Sequence, residues 1–374
     1  MEPITHFLTG ACIGRAGLRR KTAYATLAGV LAAEAADLDA FWGLAGPVRE
    51  LQHHRGITHT LIATPVVAAV VTGAIFLLDL GLRDRRARRL AALPAPEPGA
   101  PPVRRPVPAR WGWIYLTALI AALSHLLLDW TNNYGLRPFF PFNPRWYSGS
   151  IVFIVEPVLW VLLMGALLLP ALGGLIGGEI GVRRQPFRGE RWAQAALVGM
   201  VLVWGWRYAE QSHARSLLGN IQLTHEPVQR LALEPYPLNP FRWHAILETP
   251  SLYQTAEVDT RTGEILSDPA NALFKPPVTP AVEAAKRTLL GQVYLDWGSW
   301  AVVRDMGPVP VPGMEPPQLP AGRVWTTVQF TDLRFGYDFR GSGEAGSRSS
   351  LAGSVYIVDG HEEAGQALNG REQR

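Results

Sequence analysis

The distribution of apolar residues divides the chain into two parts. Four stretches before residue 210 are apolar over about the 20 residues that a helix needs to cross the hydrocarbon core of a bilayer. They lie at roughly 61–80, 111–129, 151–177 and 192–209. After residue 210, apolar and polar residues alternate in short runs, a period typical of half-buried strands. The pattern therefore predicts an integral membrane protein with an extramembrane domain after its last span.

Two shorter apolar stretches, at roughly 4–14 and 22–36, precede the long ones and are rich in Ala, Gly and Thr. One interpretation is a pair of amphipathic helices that lie in the membrane interface. The other is a short helical hairpin packed against the four long spans, in which small residues let the backbones approach closely. The predicted fold class is mainly α, a polytopic membrane helical bundle of four long and two short helices with a C-terminal α+β antiparallel-sheet domain.

The predicted α+β domain covers residues 210–340. The segments "RWHAILET" and "YQTAEVDT" lead to a turn at Arg261-Thr262-Gly263, and Thr279-Pro280 starts a helix that runs to about Gly291. "YLDWGSWAVV", "VWTTVQFTDLRF" and "SVYIVD" are rich in β-forming residues. We expect an antiparallel sheet with a helix on one face, followed by a flexible tail over 341–374.

The distribution of charge predicts how the membrane domain, residues 1–209, is oriented across the membrane. Its segment 81–110 is Pro/Ala-rich and carries eight arginines against Asp84 and Glu97, and the turns near 15–21 and 178–191 are also basic. Basic turns stay in the cytoplasm. Six spans then place the loops 37–58 and 130–150 and the C-terminal domain on the extracytoplasmic side. The sequence pI of about 9.3 is explained by this topology, and no nucleic-acid partner is predicted.

The apolar content agrees with a multi-pass membrane protein. The 374 residues are 48% hydrophobic and include a single cysteine, Cys12, which cannot form an intramolecular disulfide. The C-terminal domain must therefore be stabilised by its core alone.

Ionisable residues at membrane depth are costly and usually functional. Under the six-span topology they all map to one end of the bundle, whereas the basic turns lie at the other end. The residues are His6, Glu34, Asp37, Asp39, His53, His54, Arg55, His59, His125, Asp129 and Glu156. Two independent features of the sequence thus point to one site.

The spacing of these residues is typical of metal ligands. His125 and Asp129 are one helical turn apart, so both face the same side. Asp37-Leu38-Asp39 supplies two carboxylates at the end of a helix. In the loop His53-His54-Arg55-Gly56-Ile57-Thr58-His59, Gly56 permits a sharp turn, and Thr58 as the N-cap would place His59 in the first turn of the next helix.

We therefore predict a centre of one or two divalent ions. Mixed imidazole and carboxylate ligands suit Zn best, with Mn or Mg as alternatives. A carboxylate that does not bind the metal, Glu34, Asp39 or Glu156, would act as general base, and Arg55 would bind an anionic group of the substrate. The predicted metal ligands are His6, Asp37, Asp39, His53, His54, His59, His125 and Asp129.

Each residue alone also has an ordinary structural interpretation. A single histidine at a helix end commonly makes an interfacial hydrogen bond, Asp37 and Asp39 can cap a helix, and His125 with Asp129 can form a buried pair. Several such residues at one end of a bundle favour a metal, because they would otherwise be left unsatisfied.

Four motifs in order resemble those of the YdjM-like family of inner-membrane-bound proteins described as metal-dependent hydrolases. They are Thr5-His6, Ala36-Asp37-Leu38-Asp39, His54-Arg55-Gly56-Ile57-Thr58-His59-Thr60 and the pair His125 and Asp129. "DWTNNYGLRPFFPF", "FIVEPVLW" and "YPLNPFRWHAI" resemble the longer YfhP-like branch. Ala36, Thr60 and Glu156 replace the family's usual Pro, Ser and Asp. The resemblance implies a metal-dependent hydrolase that is a multi-pass protein of the bacterial inner membrane.

Two classes of function follow from the sequence. One is a hydrolase at the membrane surface that acts on an amphiphile, with a phospholipid or polyprenyl phosphate ester as the leading candidate. The other is a non-enzymatic membrane protein with a structural metal site, or an ion or metal transporter. Transporters place polar residues near the midplane and contain repeats, and neither feature is visible here. An open coordination position would favour the enzyme, and a closed four-ligand shell would favour a structural metal.

Overall fold

The computed structural model describes residues 1–91, 107–179, 188–220, 223–268, 271–337 and 351–373. The chain forms two compact units. The helical unit comprises residues 1–38, 57–148 and 154–205, and the sheet unit comprises 39–56, 149–153 and 206–374. The domain boundary predicted after residue 209 is close to the observed division between residues 205 and 206. Two loops of the predicted membrane domain, however, belong to the sheet unit.

The helices are numbered in chain order. They are α1 (Pro3–Arg15), α2 (Ala25–Glu34), α3 (Pro47–His53), α4 (Ala63–Ala91), α5 (Trp111–Thr131), α6 (Pro157–Glu179), α7 (Glu190–Gly219), α8 (Pro280–Arg287) and α9 (Leu289–Trp297). Short 3-10 segments over Ala35–Ala45 and Ile57–His59 follow α2 and precede α4.

Three helices among the described residues are long and apolar enough to span a bilayer. The candidate spans are Ala63–Arg85, Trp111–Thr131 and Pro157–Ile176. The fourth predicted span, 192–209, falls within α7 but is not one of the three, so the count of four long helices stays a prediction. Helix α4 continues to Ala91, so the first eleven residues of the basic segment 81–110 are helical, as arginine and alanine favour. Positions 92–106, the Pro/Ala-rich middle of this predicted cytoplasmic linker, lie outside the described residues.

Helices α1 and α2 form the predicted hairpin, and glycine makes their contact possible. A Cβ atom built on Gly10 would collide with the carbonyl oxygen of Gly29, and one on Gly29 would collide with that of Gly10. The alanines of α2 in turn pack on those of α5, with Ala28 and Ala118 both fully buried. Small residues therefore place α2 between α1 and α5 at short backbone distances.

The strands of the sheet unit form two antiparallel sheets. They are β1 (Arg230–Pro235), β2 (Arg242–Glu248), β3 (Leu252–Asp259), β4 (Glu264–Leu266), β5 (Ala272–Phe274), β6 (Ala301–Asp305), β7 (Trp325–Asp332), β8 (Gly353–Val358), β9 (Glu362–Leu368) and β10 (Arg371–Glu372). The first sheet has the order β1-β2-β3-β4, with β5 also paired to β3, and the second has the order β10-β9-β8-β7-β6. The predicted antiparallel domain is confirmed, with two sheets in place of one.

Two local predictions in this unit differ from the structure. The helix predicted from Thr279 to about Gly291 is two helices, because Thr288 leaves the helical backbone and its hydroxyl caps α9 by accepting from the Gly291 N–H. The first four residues of "YLDWGSWAVV" are consequently helical, and β6 begins only at Ala301.

The segment "SVYIVD", predicted to be β-rich, forms β8. The flexible tail predicted over 341–374 is wrong where it is described beyond β8, because residues 362–368 and 371–372 form β9 and β10. Every residue of β8 is buried, and the strand pairs with β7 on one side and β9 on the other. Strand β9 was not predicted because Glu362, Glu363 and Gly365 have low β-propensity. The strand forms because it pairs with β8.

Candidate metal centre

Helix α5 supplies two of the predicted ligands from one buried face. His125 and Asp129 are one turn apart, and both side chains are fully buried in the helical unit. The Nδ1 atom of His125 lies 2.6 Å from the main-chain oxygen of Ala33 in α2. Because a carbonyl oxygen only accepts hydrogen bonds, Nδ1 carries the proton and Nε2 presents its lone pair on the opposite side of the ring. His125 is therefore held in a tautomer that can bind a metal.

Asp37 and His59 form a four-residue cluster with that pair. Nε2 of His59 lies 3.0 Å from Nε2 of His125 and 3.2 Å from Oδ1 of Asp37. Oδ2 of Asp129 lies 3.4 Å from Nε2 of His125 and 3.5 Å from Nε2 of His59. One ligand atom from each of the four residues lies within 4.8 Å of the others. We call these four residues the His/Asp cluster.

The spacing of the His/Asp cluster fits a tetrahedral ion. Bonds of about 2.0–2.1 Å at tetrahedral angles place ligand atoms roughly 3.3–3.5 Å apart. The four distances measured above, 3.0 to 3.5 Å, are close to that separation. Two carboxylates at this depth also carry negative charge that a divalent cation would neutralise. The residues therefore fit a divalent metal by both geometry and charge.

His6 on α1 borders the cluster. Its ring stacks on that of His125 with the centroids 3.8 Å apart, and its Nε2 lies 3.4 Å from Oδ1 of Asp129. His6 is fully buried, and among the described residues neither of its ring nitrogens has a hydrogen-bond partner. The α-amino group of Met1 contacts the same Asp129 oxygen. A buried imidazole without hydrogen bonds is expected at a site for a cation.

The hairpin of α1 and α2 positions His6 and His125 through the close contact between its two glycines. His6 precedes Gly10 by one turn of α1, and Ala33 follows Gly29 by one turn of α2. Residues one turn apart share a face, so the close approach at the glycines brings His6 and the Ala33 carbonyl to the same side, next to His125. The small-residue pattern of the two short helices therefore has a direct consequence for the site.

A second imidazole–carboxylate pair lies in the sheet unit. Oδ1 of Asp39 is 2.9 Å from Nδ1 of His54, and Oδ2 accepts the Arg55 main-chain N–H at 3.0 Å. Arg55 is buried and adopts a left-handed backbone with φ of 56°. The sharp turn predicted at Gly56 thus occurs one residue earlier. Gly56 is required for another reason, because a Cβ atom there would lie 2.6 Å from the His53 carbonyl oxygen.

The helix start predicted at Thr58 is wrong. Residues Ile57–His59 form a 3-10 turn, and α4 starts at Ala63, whose N–H is accepted by the hydroxyl of Thr60 at 3.1 Å. The Thr58 hydroxyl instead lies 3.0 Å from Nδ1 of His59. Thr58 therefore helps to orient the His59 ring, whose Nε2 belongs to the His/Asp cluster.

Three further residues that the sequence predicted for the site, His53, Glu34 and Glu156, are not part of the His/Asp cluster. The His53 ring stacks on Trp42, with the centroids 4.0 Å apart. Glu34 ends α2, and one of its carboxylate oxygens is buried without a hydrogen-bond partner among the described residues. Glu156 directly precedes α6 and is 9% exposed. A metal-binding role for His53 and catalytic roles for Glu34 and Glu156 stay predictions.

Two polar residues beside the site could not be predicted from the sequence. The carboxylate of Glu2 contacts the Thr5 hydroxyl and the Trp160 indole N–H. The amide nitrogen of Asn132 lies 3.5 Å from Oδ1 of Asp129. Neither residue belongs to a spacing pattern, and only their tertiary contacts show their place.

The fold and the cluster define a helical membrane protein with a candidate His/Asp metal centre. The chain belongs to the family described as YdjM inner membrane protein, whose model matches residues 1–214, more than half of the sequence. The predicted family resemblance is thereby confirmed, and most of the sheet unit lies outside the match. No curated protein and no solved structure matches the chain.

Proposed function

We propose that this protein is a metal-dependent hydrolase of the inner membrane. The observation that carries the proposal is the His/Asp cluster, in which the tautomer of His125 is fixed by Ala33 and the ligand atoms are spaced for a tetrahedral ion. Asp37, His59, His125 and Asp129 would hold the ion, with His6 beside them. Zinc suits two imidazoles and two carboxylates best, and Mn or Mg are the alternatives.

A divalent ion bound there would supply Lewis acidity and lower the pKa of a coordinated water molecule to near 7. The chain contributes the proton acceptor. Glu34 is assigned that role because its buried carboxylate oxygen without a hydrogen-bond partner lies three residues before Asp37. Asp39, His54 and Arg55 form their own cluster in the sheet unit, and their participation in the reaction rests on the sequence pattern alone.

The substrate class follows from the surface next to His59. Ile57, Leu61 and Ile62 are 64%, 45% and 56% exposed and flank this ligand in the chain. Large exposed apolar side chains at the start of a membrane helix are favourable in contact with lipid. An amphiphile with a hydrolysable phosphate ester, a phospholipid or a polyprenyl phosphate, is therefore the proposed substrate. The site and the sheet unit are proposed to be extracytoplasmic, as the basic turns require.

Elemental analysis of the protein purified in detergent tests this proposal. We expect about one equivalent of a divalent transition metal in the wild type and at least a tenfold loss in His59→Ala and Asp129→Ala, because each removes one of four ligands. His213→Ala, at an exposed position of α7, is the matched control and should keep the metal. A wild type without metal, or full metal content in both cluster variants, would refute the proposal.

The alternative function, a structural metal site in a non-enzymatic protein, is favoured by one observation. The four residues of the cluster can complete a tetrahedral shell by themselves, and only Asp37, at 19% side-chain exposure, is in contact with solvent. Cobalt substitution distinguishes the two functions. A d–d absorption band that shifts on addition of phosphate indicates an open position and supports the enzyme, whereas an unresponsive band supports the structural metal.

A further inference from the structure

The segment 132–148, which follows α5, forms a hairpin that is attached to the metal centre at two points. Leu136 and Tyr147 form an antiparallel bridge, with N–H to oxygen distances of 3.0 and 2.8 Å. At one attachment, the Leu61 N–H donates to the Pro138 carbonyl at 2.9 Å, two residues beyond the ligand His59. At the other, the Asn132 side chain lies 3.5 Å from Asp129. We call this segment the α5 hairpin.

Arg137 is the buried cation of the α5 hairpin. Its side chain is 8% exposed, although a guanidinium stays charged at any physiological pH. The guanidinium carbon lies 4.7 Å from the ring centre of Trp146 and 5.0 Å from that of Phe140. Aromatic contacts of this kind use the face of the guanidinium, whereas its N–H donors lie in the guanidinium plane.

The hairpin also carries apolar groups that suit a lipid. Phe142 is 82% exposed and Phe139 is 47% exposed, and both lie within five residues of Arg137 in the chain. A rigidly held planar cation beside exposed aromatic side chains matches an amphiphile with an anionic head and an apolar tail.

We propose that Arg137 binds the phosphate group of the substrate and so determines its specificity for phosphorylated amphiphiles. This assignment rests on the proposed hydrolase function, and it gives a role to a residue that the sequence did not single out within the segment "DWTNNYGLRPFFPF". The hydrogen bond from the Leu61 N–H to the Pro138 carbonyl attaches the residue that follows Arg137 to the chain two residues beyond the ligand His59. In this proposal, a phosphate bound by Arg137 is thereby oriented with its ester bond towards the ion.

Phosphate binding to the metal-loaded, full-length protein in zwitterionic detergent tests the assignment. Inorganic phosphate is titrated in one arm and micellar phosphatidic acid in the other, and the metal content of every variant is measured in parallel. Arg137→Gln should weaken binding at least about tenfold in both arms with unchanged metal content, because a charge-assisted bidentate contact is lost. Arg137→Lys keeps the charge but not the planar fork, and should bind with intermediate affinity.

Arg145→Gln is the matched control. Arg145 lies in the same hairpin and contacts the Tyr147 ring, but it is exposed, so its loss should leave both affinities within about twofold. Tighter binding of phosphatidic acid than of inorganic phosphate would identify the lipid as the ligand, and equal affinities would identify the phosphate group alone. Wild-type affinity for phosphate in Arg137→Gln would overturn the assignment of Arg137 but would leave the metal site intact. If Arg137→Gln does not fold, wild-type affinity in Arg137→Lys would overturn it in the same way. A wild type without metal overturns the hydrolase proposal instead.

Discussion

At the scale of single residues, the site depends on hydrogen bonds that no spacing rule contains. His125 and Asp129 could be paired from the sequence because one helical turn brings them to one face. The contact of His125 Nδ1 with the Ala33 carbonyl could not be predicted from the sequence, because it joins positions 92 residues apart. The left-handed backbone at Arg55 was also missed, since glycine at the next position is the usual residue for that conformation.

A buried ionic network in the sheet unit also depends on single residues. Arg334 donates to both oxygens of Asp332, and its guanidinium lies 4.8 Å from the ring centre of Trp297. Glu234 on β1 is buried nearby, and one of its oxygens has no hydrogen-bond partner among the described residues. Burial raises the pKa of the Glu234 carboxyl to about 7, and Asp332 adds to this effect while Arg334 and Ser150 oppose it.

Stability of the sheet unit should therefore fall as the pH rises from about 4.5 to about 7. The folded pKa of Glu234 is above its unfolded value, so the protonated form favours folding, and this contribution is lost through that window. Glu234→Gln should remove a cost on the order of 3 kcal/mol at pH 8 and should change stability little at pH 4. Hydrogen exchange of β1 and β2 at both pH values measures the effect. A variant with the same pH dependence as the wild type would contradict the assignment of this cost to Glu234.

At the scale of elements, the helices of the first half and the segment "SVYIVD" of β8 could be predicted, and the last two strands could not. The spans and the α1–α2 hairpin follow from long apolar runs and small residues, which are local signals. Strands β9 and β10 have no such signal, and β9 depends on its pairing with β8. The membership of 39–56 in the sheet unit was likewise not predictable, because Gln373 caps α3 by accepting the Val48 N–H from 325 positions away.

The close contact between Gly10 of α1 and Gly29 of α2 predicts the effect of a substitution on the packing of the two helices. Gly10→Ala should destabilise the protein by roughly 1–3 kcal/mol, because the new methyl group collides with the Gly29 carbonyl. It should also reduce the bound metal, since His6 and Ala33 are positioned by that contact. Thermal unfolding and elemental analysis measure the two effects. Gly73→Ala in α4, where a Cβ atom meets nothing within 4 Å, is the control and should retain both. Equal melting temperatures for Gly10→Ala and the control would refute this role of Gly10.

At the scale of the whole molecule, the amino-acid sequence predicts which side of the membrane each part occupies. Ala87 on α4 lies among the arginines that the positive-inside rule assigns to the cytoplasm, and Gln318 is exposed in the sheet unit. The single native cysteine, Cys12, is buried against α6 and α7, so it contributes little background to thiol labelling.

A membrane-impermeant maleimide should therefore label Gln318→Cys in intact spheroplasts. Ala87→Cys should react only after the membrane is permeabilised, because eight arginines in segment 81–110 favour the cytoplasmic side. Labelling of the native protein is the control for Cys12. Reaction of Ala87→Cys in intact spheroplasts, with Gln318→Cys protected, would reverse the orientation without affecting the metal site.

In the proposed metal centre, one ion is bound by His59, His125, Asp37 and Asp129. X-ray absorption at the metal edge of the purified protein tests it most directly. We predict a shell of nitrogen and oxygen ligands at about 2.0–2.1 Å, with outer scattering from two imidazole rings that falls to one ring in His125→Asn. A shell of oxygen ligands without imidazole scattering, or a wild-type spectrum unchanged in that variant, would contradict the claim.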